Sequence, residues 1–537
     1  MSKDVCSEKL YASEIFDEIA SKLHKKQKKH KKKKRRKQLQ NYIVCECYPE
    51  ASDNPYADES PPEAYESQPE SEQEFIPPQL NLNKHGNHGV SFGKLGQIQI
   101  GLPQDQEGNI AAVGSAGSAK TTSVANTTLA SYTGAMCVTD IKGELSEFYK
   151  KLYDTGIVTR PYLVFNPMDS DSIGFDPFYW LNYDDRDNLV SNMWEIILAL
   201  IPTPTGVNDP FWVESEQALL MATLLYYFDL KTDFIEAIIA IVSSNLSDLC
   251  QKILESNNDV AKMYIGQVFS KDSNAAPAFE RGIRNKLMLF ATDIRIQRAF
   301  SKKQNGTHCF SWNELDKYNI FIRIPEDKID EWSGAINLMY TQLIKHLMRR
   351  PDKYSPEGAE NIQTLLLFDE FARFGKLEII PSAIATLRSK NVNIFLIIQS
   401  LAQLDKIYGE NDRRIILDNC QYQAFLRSNE AVTQKYISEI IGTKITIQKS
   451  AGESMDEDMD TVGYSKRISE IREFIVFPHE LSTMQDVLLL SPYGFFRLKK
   501  FQMFNDSLPQ KLETEKFLFS QPLEGELQAD DNNLFLR

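Results

Sequence analysis

The stretch that decides the fold is Ile110–Thr122, which reads I-A-A-V-G-S-A-G-S-A-K-T-T. Four apolar residues lead into a loop of Gly, Ser and Ala, and a helical pattern continues as far as Ser131. The loop fits G-x-x-x-x-G-K-[ST] except that Ala119 stands at the last Gly. Because the backbone N–H groups of such a loop and the following helix terminus surround phosphates, the stretch predicts a P-loop. The alternative is a Gly/Ser turn with an incidental Lys.

The loop supplies the expected contacts to ATP. The nine expected nucleotide-binding residues are Gly114, Ser115, Ala116, Gly117, Ser118, Ala119, Lys120, Thr121 and Thr122. Lys120 is expected to reach the β and γ oxygens, and the Thr121 hydroxyl is expected to ligate Mg²⁺. The Cβ of Ala119 costs little if φ is negative there, but about 1 kcal/mol or more if φ is positive.

Short apolar strands alternate with helices along the chain on both sides of the loop. The predicted strands are Ile110–Val113, Met136–Thr139, Tyr162–Phe165, Ile320–Ile324, Thr364–Phe368, Asn393–Ile398, Tyr422–Leu426 and Phe495–Leu498. This alternation favours an α/β fold in which helices cover both faces of a parallel sheet. Between residues 183 and 300 the pattern is helical and β-branched runs are scarce, which predicts an inserted all-α domain.

Changes in composition divide the chain into six predicted segments. They are a basic, partly helical amino-terminal segment (1–40), an acidic Pro/Glu/Ser-rich linker (41–84), the first part of a nucleotide-binding domain (85–182), an all-α domain (183–300), the second part of the nucleotide-binding domain (301–508) and a carboxyl-terminal tail (509–537). Residues 46–78 hold too few aliphatic side chains to offset the entropy cost of ordering. We therefore expect the amino-terminal extension to be disordered.

Charge is distributed unevenly. The chain has 60 Lys and Arg against 74 Asp and Glu, a net charge of −14 that taken alone argues against a nucleic-acid binder. However, Lys22–Lys37 carries 12 positive charges and no negative one, and Glu46–Glu74 carries 10 negative charges and no positive one. The basic block suits an anionic membrane or a small membrane protein, and it equally suits DNA. The alternative is a solvated tail that the acidic segment neutralises.

The sequence carries no pattern of a secreted or membrane-spanning protein. No run reaches the ~18 uninterrupted apolar residues of a membrane helix, and the amino terminus lacks the apolar core of a signal peptide. The seven Cys are scattered, and Cys45 and Cys47 lack a second pair with zinc-ligand spacing. We therefore expect a reduced, cytoplasmic protein.

Two further strands are expected to end in charged residues. The run T-L-L-L-F-D-E ends at Asp369 and Glu370, and ligands of parallel α/β sheets bind at the carboxyl ends of the strands. Asp369 is expected to hold the hydration shell of Mg²⁺, and Glu370 to orient or deprotonate the attacking water. Because many strands end in an acidic residue, this run indicates a nucleotide site only in combination with the P-loop. The sequence D-I-K-G-E at Asp140–Glu144 also follows a predicted strand, and the alternative there is a polar turn.

Arg388 and Gln399 follow Glu370 at intervals that place them on the next helix and the next strand end. A Gln at the tip of a strand beside the nucleotide can sense the γ-phosphate. An Arg on the intervening helix can reach the site of a neighbouring subunit. The alternatives are a surface Arg and an ordinary strand-end Gln.

Taken together, these motifs resemble those of a known family. The sequences G-S-A-G-S-A-K-T, V-T-D-I-K-G-E-L, F-N-P-M-D-S-D-S-I-G-F-D-P-F and, above all, D-E-F-A-R-F-G-K-L-E-I-I-P-S-A-I-A-T-L-R-S are similar to the conjugative coupling proteins of type IV secretion. These form the TraG/TraD group of the FtsK/HerA hexameric ATPases. The resemblance runs from about residue 109 to 504.

The resemblance implies a fold, an activity and partners. It implies a RecA-like P-loop domain with an inserted all-α domain, a homo-hexamer, and ATP hydrolysis with Mg²⁺. By match to the family's motifs, Lys120 and Thr121 are Walker A residues, and Asp369 and Glu370 are Walker B residues. Arg388 matches an arginine finger that acts in trans, and Gln399 matches a sensor of the γ-phosphate. The implied function is ATP-driven delivery of DNA, as a relaxase-linked single strand, or of a protein substrate to the channel of a type IV secretion system.

The sequence departs from the family at two points and leaves two other functions open. Ala119 replaces a Gly, and the transmembrane helices with which the family usually begins are absent from the sequence. We expect the block Lys22–Lys37 to bring the protein to the inner face of the plasma membrane. One alternative is a generic DNA-pumping ATPase of the same superfamily. The other is a non-hydrolysing docking platform with a degenerate P-loop.

Overall fold

A computed structural model describes residues 76–503 apart from 183–184, 204–210, 270–275, 303–308 and 456–460. The basic segment, most of the acidic linker and the tail predicted from the sequence lie outside the described residues. Their structure and the six-segment division remain predictions.

Fifteen strands occur in the described residues. They are β1 (Gly89–Leu95), β2 (Ile98–Pro103), β3 (Ile110–Val113), β4 (Ala135–Asp140), β5 (Tyr162–Phe165), β6 (Gly174–Phe175), β7 (Cys309–Phe310), β8 (Asn319–Arg323), β9 (Thr364–Phe368), β10 (Val392–Ile398), β11 (Tyr422–Phe425), β12 (Thr443–Met455), β13 (Thr461–Phe474), β14 (Val487–Ser491) and β15 (Gly494–Leu498). Nine of them form one sheet in the order β15-β14-β11-β3-β10-β9-β4-β8-β5. The seven strands from β11 to β5 are parallel, whereas β14 and β15 are antiparallel.

Most residues of the parallel strands are apolar because both faces of the sheet are covered. In β3, Ile110 and Ala112 face one core, while Ala111 and Val113 face the other. All seven residues of β10 are buried as well. This two-sided burial explains why the sequence shows continuous apolar runs and not the alternation of a half-exposed strand.

Thirteen helices occur in the same described residues. They are α1 (Asn126–Ser131, preceded by a π-helical turn at Thr121–Ala125), α2 (Glu144–Asp154), α3 (Arg186–Leu200), α4 (Phe211–Asp229), α5 (Phe234–Ser243), α6 (Leu246–Glu255), α7 (Asp259–Phe269), α8 (Ala276–Thr292), α9 (Ile294–Phe300), α10 (Ser333–Met348), α11 (Ile380–Thr386), α12 (Leu401–Asp418, kinked at Gly409) and α13 (Ala431–Ile441). Helices α3 to α9 follow one another with no strand described between them.

The helices α3 to α9 share an apolar core with one face of the sheet. A polar contact also joins the two parts, because Asp293 caps α9 and its Oδ2 accepts a hydrogen bond of 3.0 Å from the Trp332 indole N–H. The opposite face of the sheet is covered by α1, α2 and the β1–β2 hairpin. The inserted helical region is thus packed onto the α/β core.

The structure differs from the sequence prediction at several places. The predicted linker ended at residue 84, but the 3₁₀ turns Pro78–Leu80 and Leu82–His85 pack with Leu80 and Leu82 fully buried. The predicted helix after the P-loop begins with a π-helical turn. The hairpins β1–β2 and β12–β13 were not predicted.

Parallel strands place all their carboxyl ends on one side of the sheet. Val113 of β3 lies beside Ile398 of β10, and Phe368 of β9 lies beside Thr139 of β4. We call this side the carboxyl end of the sheet and the opposite side its amino end. The P-loop, Gln399, Asp369 and Asp140 therefore meet at the carboxyl end.

Candidate nucleotide site

The P-loop is held between the ends of two neighbouring strands. The Gly114 N–H donates to the Ile398 carbonyl oxygen at 3.0 Å, and the Ser115 N–H donates to the Arg427 carbonyl oxygen at 2.8 Å. A Cβ on Gly114 would lie 2.7 Å from the Ser118 Oγ and 2.9 Å from the Leu426 Cβ. Close packing therefore requires glycine at the start of the loop.

Ala119 has the backbone conformation that makes its side chain costly. Its φ is +70°, close to the +67° of Gly117 in the same loop. An L-residue in this left-handed region is strained by about 1–2 kcal/mol, because its Cβ approaches the following carbonyl oxygen. Of the two cases that the sequence left open, negative or positive φ at Ala119, the structure shows the costly one. The loop keeps its turn despite the Cβ.

Lys120 lies over the mouth of the loop. Its Nζ donates to the carbonyl oxygens of Gly114 and Ser115, the latter at 3.1 Å. Burial lowers its pKa to about 8, helped by the positive charge of Lys142 and opposed by the carboxylates Asp369 and Glu370. Lys120 is therefore a poorly solvated cation in front of two acids, a setting that a phosphate would complement.

The two acids at the end of β9 differ in environment. Asp369 is 5% exposed, and burial raises its pKa to about 7, with repulsion from Glu370 and Asp140 adding to the effect. Glu370 has a left-handed φ of +52°, and its Oε1 lies 2.9 Å from the Lys142 Nζ. Strained backbone of this kind is concentrated at functional sites.

The D-I-K-G-E segment takes part in this cluster. Asp140 is buried, and its Oδ2 accepts hydrogen bonds from the Ser146 N–H at 2.8 Å and the Ser146 hydroxyl at 2.6 Å. Lys142 pairs with Glu370, which raises the Lys142 pKa. The sequence left this segment open as a polar turn, and the structure gives its Lys142 a contact with Glu370 at the end of β9.

Gln399 and Arg388 occupy opposite ends of the sheet. Gln399 follows β10 directly at the carboxyl end, where its Oε1 accepts a hydrogen bond of 2.6 Å from the Gln403 Nε2. Arg388 lies in the turn that precedes β10, at the amino end, where its Nε is 3.0 Å from the Glu107 Oε2. Lys120, Asp369, Glu370 and Gln399 are thus brought together, whereas Arg388 is separated from them by the length of the strands.

Two residues at the site, Arg427 and Asn429, were not predicted from the sequence. Arg427 follows β11, which pairs with β3, and its Nη2 donates to the Ala116 carbonyl oxygen at 3.2 Å. The Asn429 N–H also donates to the Ser115 Oγ at 2.9 Å. No local pattern marks these residues, because their place beside the loop depends on the order of the strands.

The residues at the carboxyl end fit a nucleotide with Mg²⁺. Mg²⁺ is usually held by one or two carboxylates together with phosphate oxygens and water. Asp369 is such a carboxylate, and the Oδ1 of the neighbouring Asp140 is buried with no hydrogen-bond partner among the described residues. The Lys120 ammonium and the amides of the loop complement phosphate charge.

Comparison with known proteins identifies the family. The sequence profile of the family described as "Type IV secretory system Conjugative DNA transfer" matches residues 69–522. The chain belongs to this family. This confirms the family predicted from the motifs, and the matched region extends beyond the resemblance seen in the sequence.

Individual members of the family are distant in sequence. Protein VirD4 of Rhizobium radiobacter is 23% identical over 414 residues, which cover 75% of this chain and 58% of VirD4. Conjugal transfer protein TraG of Escherichia coli is 22% identical over 396 residues, which cover 66% of this chain and 59% of TraG. The chain therefore spans just under three fifths of the length of these relatives.

The fold is that of solved coupling proteins. The bacterial conjugative coupling protein TrwB, without its first 70 residues, superposes with a TM-score of 0.57 at 15% identity, covering 79% of this chain and 91% of TrwB. TrwB in complex with the non-hydrolysable ATP analogue ADPNP gives a TM-score of 0.58 at 15% identity, with coverage of 78% and 90%. These likenesses confirm the predicted α/β fold class. Within the described residues, no helix of this family member combines the length and apolarity needed to cross a membrane.

Proposed function

We propose that the chain is an ATP-driven coupling protein that delivers DNA, as a relaxase-linked single strand, or a protein substrate to a type IV secretion channel. Membership of the conjugative DNA transfer family supports the role. The single observation that carries the ATPase is the meeting of Lys120, Asp369, Glu370 and Gln399 at the carboxyl end of the sheet, beside a P-loop. Cytoplasmic location and docking at the inner face of the membrane through Lys22–Lys37 belong to the same proposal.

The chain's own groups divide the work of hydrolysis between them. The loop amides and Lys120 bind the phosphates. Thr121 and Asp369 would hold Mg²⁺, which would supply neutralisation of phosphate charge. Glu370 orients the attacking water and accepts its proton, and Lys142 fixes the carboxylate of Glu370 from the side. Gln399 monitors the γ-phosphate.

The position of Arg388 favours an active site that is shared between subunits. Its side chain is about half exposed at the amino end of the sheet, away from the P-loop of its own subunit. In a homo-hexameric ring that end would face the P-loop of the next subunit. An arginine supplied in this way contributes about 10³–10⁵-fold in rate, so hydrolysis would require ring assembly. Single-stranded DNA would pass through the pore by contacts to its backbone.

DNA-stimulated ATP hydrolysis tests the proposal. We expect turnover by the wild-type chain, loss of ATP binding in Lys120→Ala, and loss of turnover with retained ATP binding in Arg388→Ala. Mixing Lys120→Ala with Arg388→Ala subunits should restore part of the activity, because each intact P-loop can then face an intact Arg388. Oligomers that bind ATP but never turn it over would favour the docking platform.

Transfer separates the coupling role from generic DNA pumping. Cells that carry a mobilisable plasmid and Lys120→Ala should give no transconjugants while their chromosome segregation stays normal. A segregation defect with normal transfer would favour the generic pump. Deletion of residues 1–40 should release the protein from membranes, and unchanged membrane association would remove the docking role of Lys22–Lys37.

A further inference from the structure

Glu107 is the partner of the proposed arginine finger. It lies in the segment between β2 and β3, at the amino end of the sheet, and its Oε2 is 3.0 Å from the Arg388 Nε. Its Oε1 forms an ion pair with the Lys353 Nζ and accepts a hydrogen bond from the Tyr354 hydroxyl. One carboxylate therefore contacts two cations and a hydroxyl donor from two separate parts of the chain.

Glu107 is a fixed anion in this arrangement. Its side chain is 21% exposed. Burial alone would raise its pKa, but the bonds from Lys353 and Tyr354 and the charges of Lys353 and Arg388 together hold the pKa below its usual value. Lys353 and Tyr354 thus anchor the carboxylate while leaving Oε2 to Arg388.

The backbone of Arg388 is fixed by the same segment. The Lys353 N–H donates to the Ser389 carbonyl oxygen at 2.8 Å, and the Asn391 N–H donates to the Arg388 carbonyl oxygen at 3.3 Å. The shortest contact between Arg388 and Glu107 is made by the Nε of Arg388, and within the described residues neither Nη nitrogen donates a hydrogen bond. The two Nη nitrogens form the planar fork that binds phosphate in a bidentate manner.

We infer that Glu107 is the positioning residue of Arg388: the ion pair on the Nε side of the guanidinium leaves both Nη nitrogens to face the phosphates bound by the neighbouring subunit. The inference rests on the proposed function, in which Arg388 acts in trans. Arg388 also lines an open surface cleft with Gln421 and Tyr493, so its fork can be reached from outside the subunit.

Removal of the negative charge should displace the finger. Without Glu107 as an anion, the cations Lys353 and Arg388 would lie side by side with no charge between them, and their repulsion would turn Arg388 away. A shift of about 1 Å in a catalytic group can lower the rate by about a hundredfold. The P-loop lies at the other end of the sheet and should be unaffected.

The test measures steady-state ATP hydrolysis by assembled rings of Glu107→Gln, which has nearly the shape of the native side chain. We expect kcat to fall about ten- to a hundredfold while the ATP dissociation constant stays within about twofold. The matched control is Asp105→Asn, an acid two residues earlier that is 70% exposed and lies 3.6 Å from His85. This control should keep the wild-type kcat.

Two readouts separate positioning from loss of structure. Glu107→Gln with Arg388→Ala should be no slower than Arg388→Ala alone, because the two residues act as one unit. Mixed rings of Glu107→Gln and Lys120→Ala subunits should regain activity, since the latter supply a correctly held Arg388 to intact P-loops. A misfolded Glu107→Gln subunit would not be rescued.

The outcomes also distinguish this inference from the proposed function. If Arg388→Ala abolishes turnover and Glu107→Gln keeps the wild-type kcat, or if mixing fails to rescue Glu107→Gln, the positioning role is overturned and the proposed function stands. If the wild-type chain has no turnover, or Arg388→Ala retains it, the proposed function fails and the inference fails with it.

Discussion

At the scale of single residues, Ala119 is the position at which the chain departs from the P-loop pattern. Its backbone is strained because a residue with a Cβ adopts a left-handed φ there. Ala119→Gly should relieve about 1–2 kcal/mol of left-handed strain. The added backbone freedom of Gly in the unfolded chain offsets about 0.4–1 kcal/mol of this gain. We therefore expect a small rise in stability and tighter ATP binding.

Calorimetric titration with ATP and thermal melting check this prediction. The control is Ala116→Gly in the same loop, since Ala116 is exposed and is not among the residues with positive φ. It should lower stability slightly and should not tighten ATP binding. Equal effects of the two substitutions would contradict the strain at Ala119.

Because the pKa of Lys120 is lowered, we expect ATP affinity to depend on pH. Its pKa of about 8 means that the ammonium loses its proton as the pH rises through 8, and only the charged form attracts phosphate. ATP affinity should therefore decline between pH 7 and 9. In Lys120→Arg the guanidinium stays charged, so its ATP affinity, measured in the same titrations, should not depend on pH in this range. A parallel decline in both proteins would assign the titration to another group.

At the scale of helices and strands, His346 links α10 to the segment before the helical region. His346 is buried against Trp180, with ring centroids 5.4 Å apart. Burial lowers its pKa to about 4, and repulsion from Arg350 and Arg349 adds to this. Between pH 6.5 and 4 the unfolded chain binds a proton that the folded chain does not, so stability should be lost as the pH falls through this window.

Urea unfolding between pH 4 and 8 checks the role of His346. The loss on acidification should be about 3 kcal/mol smaller in His346→Leu, which cannot take up the proton. His479→Gln, at an exposed histidine, is the control and should follow the wild-type profile. An unchanged acid dependence in His346→Leu would contradict the prediction.

The elements that the sequence predicted well are those whose local pattern reflects burial on both sides. Ile110–Val113 and Thr364–Phe368 were predicted to the residue because continuous apolar runs occur where both faces are covered. The hairpins β1–β2 and β12–β13 escaped prediction, because Gly89 and Gly93 interrupt the first and charged residues alternate irregularly in the second.

The site also has parts that the sequence predicts and parts that it does not. Lys120, Asp369 and Gln399 follow apolar strands, so the parallel arrangement brings them to one end of the sheet. Arg427 and Glu107 gain their neighbours only from the order of the strands and from loops far apart in the chain. The spacing of residues along the sequence does not predict such contacts.

At the scale of the whole molecule, the β12–β13 hairpin is distinct from the packed core. Its two strands, Thr443–Met455 and Thr461–Phe474, pair with each other and with no other strand in the described residues. Ile445, Ile447 and Ile468 are each more than 60% exposed. The base of the hairpin is closed by the Ile475 N–H, which donates to the Gly442 carbonyl oxygen at 3.1 Å. The hairpin thus buries little of the apolar surface that stabilises the fold.

Removal of this hairpin should therefore have little effect on folding. Replacing residues 445–472 by a two-residue turn should change the free energy of unfolding in urea by less than about 1 kcal/mol, because few buried side chains are lost. Replacing β1–β2 in the same way is the matched comparison, since Phe92 and Leu102 of that hairpin are buried in the core beneath the P-loop helix. That second deletion should abolish cooperative unfolding. If the β12–β13 deletion were equally damaging, the hairpin would be part of the folding core, and its exposed isoleucines would have to pack against the chain in solution.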